Sequence, residues 1–237
     1  MIKLIIFDWD DVFTKGSTEG YFNCYHKTLD SVRIHLNPAE EKRRILSNWG
    51  GTTEAEIRGL LIEHPELVEE ASRNYEEVLM GDTFIDCLSV VDGTQEVLER
   101  LSKNYILTIA TGVNPKLLKE KIMPKFGIPP VFSQIVSVYD VPDRDKGKPH
   151  PFMIEQILSI QNILPEEAVL VGDAKNDVLM ARAAGVTPIV VLTGHLKEEE
   201  ARQLEVEFIV PDVTHVEKAL TRLTKLEGSV KNHKEKL

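Results

Sequence analysis

The stretch KLIIFDWDDVFT, residues 3–14, runs through Leu4, Ile5, Ile6 and Phe7 and then presents Asp8, Asp10 and Asp11 within four positions. An unbroken, β-branched apolar run this short suits a strand covered on both faces, as in a parallel sheet. Runs of the same kind recur at 106–110, 135–138, 169–171, 189–192 and 208–210. Helical patterns separate them: GTQEVLERLSK (93–103), PFMIEQILSIQ (151–161) and NDVLMARAAG (176–185), the last ending on Gly185, where a helix C′ glycine belongs. Strands alternating with helices predict an α/β core built on a doubly wound, Rossmann-like parallel sheet.

One region breaks the alternation. Residues 15–88 hold no convincing strand, only helical segments such as AEEKRRILSNW (39–49), TEAEIRGLLIEH (53–64) and PELVEEASRNYEEVLM (65–80). An all-helical domain is therefore expected at 15–88, inserted into a core made of 1–14 and 89–237, with Lys15-Gly16 and Gly81-Asp82 as candidate hinges. The polar tail after Leu226 is expected to fray.

Composition narrows the classes of function. With 237 residues, 42% hydrophobic and 28% charged, the chain can bury a sizeable core. A formal net charge of −10 argues against nucleic acid or an anionic membrane as the main partner. Two cysteines, Cys24 and Cys87, are too far apart for a CxxC pair and fit a reducing compartment. The N-terminus lacks the pattern of a secretion signal, and no apolar run approaches the roughly 20 residues that span a bilayer, so a cytoplasmic location is expected.

Ligands of open α/β sheets bind beyond the carboxyl ends of the strands. After the first run stand Asp8 and Asp10, two apart in an extended chain and so able to face one site. Thr111 and Gly112 follow the run at 106–110. Lys148 lies in the polar loop after 135–138. Gly172 and Asp173 follow 169–171, with Asp177 one helical turn on. Each has an ordinary reading alone: a solvated DxD loop, a turn, an exposed lysine, a helix-start carboxylate favoured by the helix dipole.

Together, Asp-x-Asp, Thr, Lys and Gly-Asp-x-x-x-Asp, each at the end of its own apolar run, resemble the four ordered motifs of the haloacid dehalogenase (HAD) superfamily. The likeness extends from Ile2 to about Leu220 and is nearest to the phosphoglycolate phosphatase and β-phosphoglucomutase type, which carries a helical cap after the first motif. GKPHPFMIEQIL and VLVGDAKNDVLMARAAG read much like their counterparts there. The resemblance implies that Asp8 is a nucleophile forming an aspartyl phosphate and that Asp10 is the acid and base for leaving group and water. Thr111, Gly112 and Lys148 would hold the phosphoryl group, and Asp177 would orient Lys148 or a metal-bound water. Oxygen ligands without a histidine or cysteine cluster favour Mg2+, held by Asp8, Asp173 and, on the family pattern, the backbone carbonyl of Asp10.

The expected activity is hydrolysis of a small phosphorylated metabolite, with a phosphomutase of the same type as the alternative. Dehalogenation is disfavoured, because a halide needs no proton from Asp10. A phospho-accepting receiver module is the non-enzymatic alternative, but such modules are shorter and accept phosphate on a mid-chain aspartate. The sequence departs from its relatives at Asp11, where most have glycine. Aspartate tolerates the left-handed conformation such a turn needs, and its charge bears on substrate preference. In the cap, the turn at Gly50, Gly51 and Thr52 resembles the segment that reaches over the site. Arg58, Arg43 and Arg44 could meet an anionic leaving group, or be solvated helix charges. Trp49 reads as a cap-core aromatic and His150 as structural.

Overall fold

The structure, a computed structural model, describes residues 1–48, 53–143 and 146–234. The chain forms two compact units: Met1–Lys15, Val90–Pro115 and Met123–Leu237 make the first, and Gly16–Ser89 with Lys116–Ile122 the second.

Six parallel strands form the sheet of the first unit: β1 (Leu4–Phe7), β4 (Ile106–Thr111), β5 (Phe132–Ser137), β6 (Ala168–Gly172), β7 (Thr187–Val191) and β8 (Phe208–Val210). Their order is β5-β4-β1-β6-β7-β8. Counting only these six along the chain gives 3-2-1-4-5-6, the doubly wound order whose direction reverses beside the first strand. β2 (Thr14–Lys15) and β3 (Ser89–Val90) form a separate two-stranded sheet. β2 has no counterpart in the apolar pattern, since two residues are too few for any periodicity to register.

β1 is central, with Leu4 paired to Ile106 on one side and Ala168 on the other. Both its faces are covered, which accounts for the unbroken apolar run. Leu4 and Ile6 join a core with Met153, Ile154 and Ile157 of α9 (Phe152–Gln161) and with Met180 and Ala181 of α10 (Lys175–Ala183). Phe7 packs instead against Phe13 and Phe132, with ring centroids 5.0 Å and 6.4 Å away. The remaining helices of this unit are α6 (Thr94–Leu101), α8 (Met123–Lys125), α11 (Glu198–Gln203) and α12 (Val216–Lys234). The tail expected to fray after Leu226 continues as the last turns of α12.

The second unit holds α1 (Ser17–Ser31), α2 (Pro38–Ser47), α3 (Thr53–Leu60), α4 (Val68–Met80) and α5 (Asp82–Ile85), and the unit's short Lys116–Ile122 segment overlaps α7 (Pro115–Leu117). Asn37 caps α2 by accepting the Glu40 N–H at 3.0 Å, and Pro38 takes the first helical position, where its missing N–H costs nothing. Tyr25 stacks on Tyr75 at 4.7 Å, and Ile57, Leu60, Ala71 and Leu79 are buried with them. Gly81-Asp82 lies inside this unit, at the start of α5. Among the described residues no helix is long and apolar enough to cross a membrane.

Candidate active site

The strand order reverses between β1 and β6, so the crevice such sheets offer to ligands opens beyond their carboxyl ends. Asp8 and Asp173 are the first residues past those two strands. The parallel register continues one step further, with the Asp8 N–H donating to Val171 O at 2.9 Å. Both aspartates are almost wholly buried.

Among the described residues, one ammonium group sits among these carboxylates. Lys148, followed by a cis peptide bond to Pro149, places Nζ 2.7 Å from Asp8 Oδ1 and 2.8 Å from Asp177 Oδ1. The other Asp177 oxygen accepts the Ala174 N–H at 3.1 Å, which fixes the carboxylate at the start of α10. Gly172 makes room for it: a Cβ there would lie 2.5 Å from Asp177 Cβ and 2.6 Å from its carboxylate.

Burial is the largest influence on these groups. It raises the Asp8 carboxyl to about 6; Lys148 lowers it and Asp177 raises it again. Asp173 is raised further, to about 8, by burial and by repulsion from Asp8 and Asp177. Burial disfavours the charge on Lys148 too, but Asp177 and Asp8 outweigh it and hold the ammonium above the ordinary lysine value.

Asp8, Asp173 and Asp177 each place a carboxylate oxygen within 4.8 Å of the others. Of these three buried acids Lys148 pairs with Asp8 and Asp177, and the donors are hard oxygens, so the residues fit a divalent cation that prefers oxygen. Asp10 lies in the turn after β1, half-buried, and its side chain belongs to neither group of metal-competent residues found among the described residues. Thr111 is fully buried at the end of β4, where Oγ1 accepts the Val113 N–H at 3.1 Å. Beside Gly112 there is open space, a Cβ meeting nothing within 4 Å. Asp11 takes up the left-handed conformation the turn demands, at φ 55°.

Arg43, Arg44 and Arg58 of the second unit are engaged within it. Arg58 pairs with Glu54 at 2.6 Å on the exposed face of α3, and Arg43 pairs with Glu40 at 2.7 Å. Arg44 is buried and donates to Glu63 and to Leu60 O. Trp49, Gly50, Gly51 and Thr52 lie outside the described residues. His150 is exposed, and its Nδ1 accepts the Phe152 N–H at 3.1 Å at the start of α9.

A fifth strand end was passed over in the sequence. After β7 the chain runs Thr193-Gly194-His195 beside Asp173, with the His195 N–H donating to Asp173 Oδ2 at 2.8 Å and the Thr193 hydroxyl donating to Asp11 O. The signal was present, because a polar triplet follows the apolar run at 189–192 just as Thr111-Gly112 follows 106–110.

A doubly wound parallel sheet with buried acidic strand ends around Lys148 is the fold and site arrangement of an α/β protein with its chemistry-bearing side chains at the strand ends. The chain belongs to the haloacid dehalogenase-like hydrolase family, whose model matches residues 2–185. It is 26% identical over 211 residues to a phosphoglycolate phosphatase of Colwellia psychrerythraea, covering 85% of this chain and 89% of that one. It is 24% identical to the phosphoglycolate phosphatase of Psychrobacter arcticus over 217 residues, covering 85% and 88%. A solved haloacid dehalogenase-like hydrolase of Streptococcus pneumoniae shares the fold, with a TM-score of 0.73 at 21% identity over 92% of this chain and 98% of that one.

Proposed function

We propose that the protein is a Mg2+-dependent phosphatase that hydrolyses a small phosphate monoester through a phosphorylated Asp8. The observation that carries this reading is Lys148 Nζ lying 2.7 Å from Asp8 Oδ1 and 2.8 Å from Asp177 Oδ1 in an acidic, buried strand-end cluster. Family membership and relatives named phosphoglycolate phosphatase support it, and make phosphoglycolate the first substrate to try.

Asp8 and Asp173, with the backbone carbonyl of Asp10, would hold the ion, which when bound offsets the repulsion between the carboxylates and an incoming phosphate. An Asp8 oxygen attacks phosphorus as the bond to the alcohol oxygen breaks, and Asp10 gives its proton to the departing alkoxide. Asp10 then takes a proton from water as that water attacks the phosphorus, releasing phosphate and restoring Asp8. Lys148 and the Thr111 hydroxyl, whose oxygen already accepts a backbone N–H, hold the phosphoryl oxygens, with Gly112 leaving space beside them. Asp177 keeps Lys148 in place. Residues 16–89 serve as the substrate-choosing cap, with Gly51, Thr52 and Arg58 as the positions to examine first.

Asp10→Asn tests the chemistry. The variant should lose alkyl-phosphate hydrolysis, because an alkoxide leaves poorly without a proton. With p-nitrophenyl phosphate at saturating Mg2+ it should release a rapid burst of nitrophenol and then turn over slowly, since only the second step still needs a base. EDTA should abolish both reactions in the native enzyme. Equal losses on the two esters with no burst would remove Asp10 from the acid/base role. An isomerised phosphosugar in place of free phosphate would mark a mutase.

A further inference from the structure

From the placement of Asp11, Asp173 and His195, we infer a second metal position that takes a borderline ion of the Zn2+ class and shares Asp173 with the first cluster. The three residues each offer a ligand atom within 4.8 Å of the others. His195 Nε2 stands 3.8 Å from Asp11 Oδ2. Two ligands about 2.1 Å from one tetrahedral ion lie about 3.4 Å apart, so a small rotation of an exposed imidazole closes the site.

Four further observations shape it. The backbone is already seated: the His195 N–H holds Asp173 Oδ2, and a Cβ on Gly194 would come within 1.9 Å of that same oxygen and 2.7 Å of Asp11 Cβ. Only glycine lets the loop approach so closely. Asp11 is held in a left-handed turn that most side chains disfavour but aspartate tolerates, and its carboxylate, 14% exposed, has His195 as its ion-pair partner among the described residues. Lys148 is committed to Asp8 and Asp177, so the Asp11 side of Asp173 has no lysine or arginine against it among the described residues. His195 is 54% exposed, which gives an ion a route from solvent.

The donors decide which ion goes where. An all-oxygen cluster suits Mg2+, whereas an imidazole with two carboxylates suits Zn2+, Co2+ or Ni2+. If the phosphatase reading holds, an ion at the second position draws on Asp173 and competes with the hydrolytic ion, so micromolar Zn2+ inhibits and excess Mg2+ relieves it.

Titration calorimetry with Zn2+, and the visible spectrum with Co2+, on the full-length metal-free protein test the site directly. Losing an outer partner of a metal ligand typically costs 10–100-fold in affinity, so losing a ligand should cost about 100-fold. His195→Ala and Asp11→Asn should both weaken Zn2+ by about that factor and alter the Co2+ spectrum, while Asp8→Asn keeps Zn2+ binding. Thermal melts of each variant in EDTA check the fold. Zn2+ affinity unchanged in folded His195→Ala, or lost in Asp8→Asn alone, would overturn the second position. Histidine-dependent Zn2+ binding in a protein that releases no phosphate from any ester would leave this site standing and remove the phosphatase reading instead.

Discussion

Asp173 is a buried acid whose carboxyl is raised to about 8, and Asp8 beside it to about 6. Without a divalent ion, the folded protein therefore holds protons that the unfolded chain has already released. Stability tied to these two groups is fully present below about pH 4, the ordinary aspartate range, and falls as pH climbs through 6 and 8. Asp173→Asn removes the larger part of this penalty. In EDTA its melting temperature should exceed that of the native protein by a margin that widens from pH 5 to pH 8, and in Mg2+ the order should invert. A margin independent of pH would mean that Asp173 is not the residue carrying the strain. These acids were legible in the sequence because each follows its own apolar run. Asp11 was legible as a departure and as a left-handed residue. His195 was legible only as part of the polar triplet after 189–192; its meaning comes from the Asp11 and Asp173 carboxylates that folding sets beside it.

At the β6–α10 junction, a strand, a glycine and a helix start place two buried carboxylates four residues apart, Asp173 and Asp177, on one short turn. Gly172→Ala tests how closely that turn is fitted. Its Cβ would displace a carboxylate tied to both Ala174 N and Lys148, so the substitution should cost about 1–3 kcal/mol in urea melts and lower kcat by at least about tenfold. Gly112→Ala is the contrast: the added methyl meets nothing, and stability should move by less than about 0.5 kcal/mol. Equal costs at the two glycines would show that general backbone freedom, not the fit around Asp177, governs this junction. Element existence was readable from the apolar runs, while the ends were not. The run at 135–138 lies mostly in a strand, Phe132–Ser137, that starts earlier because Phe132 and Gln134 pair with Leu107 and Thr108 of β4, with a bulge at Ser133, rather than through an apolar signature. Likewise β7 begins at Thr187 and includes Pro188, which no strand pattern favours.

For the molecule as a whole, the alternation of runs and helices was enough to predict a doubly wound core interrupted by helices. It could not give the division that assigns Lys116–Ile122 to the second unit, since that depends on contacts distant in sequence. Strand order has its own test. A chain ending at Gln161 keeps β5, β4 and β1 but loses β6, the partner along the other edge of β1. It should aggregate or remain expanded in size-exclusion chromatography, whereas a compact monomer with native-like circular dichroism would show that half the sheet is self-sufficient. The same placement sets a schedule for synthesis. The ribosome makes β1 first, yet its last neighbour begins only at Ala168, about 160 residues later. At about 5–20 residues per second, Leu4–Phe7 waits on the order of 10–30 s with a bare apolar edge. Through that interval the stretch destined for the most protected place in the sheet is the one most in need of a chaperone.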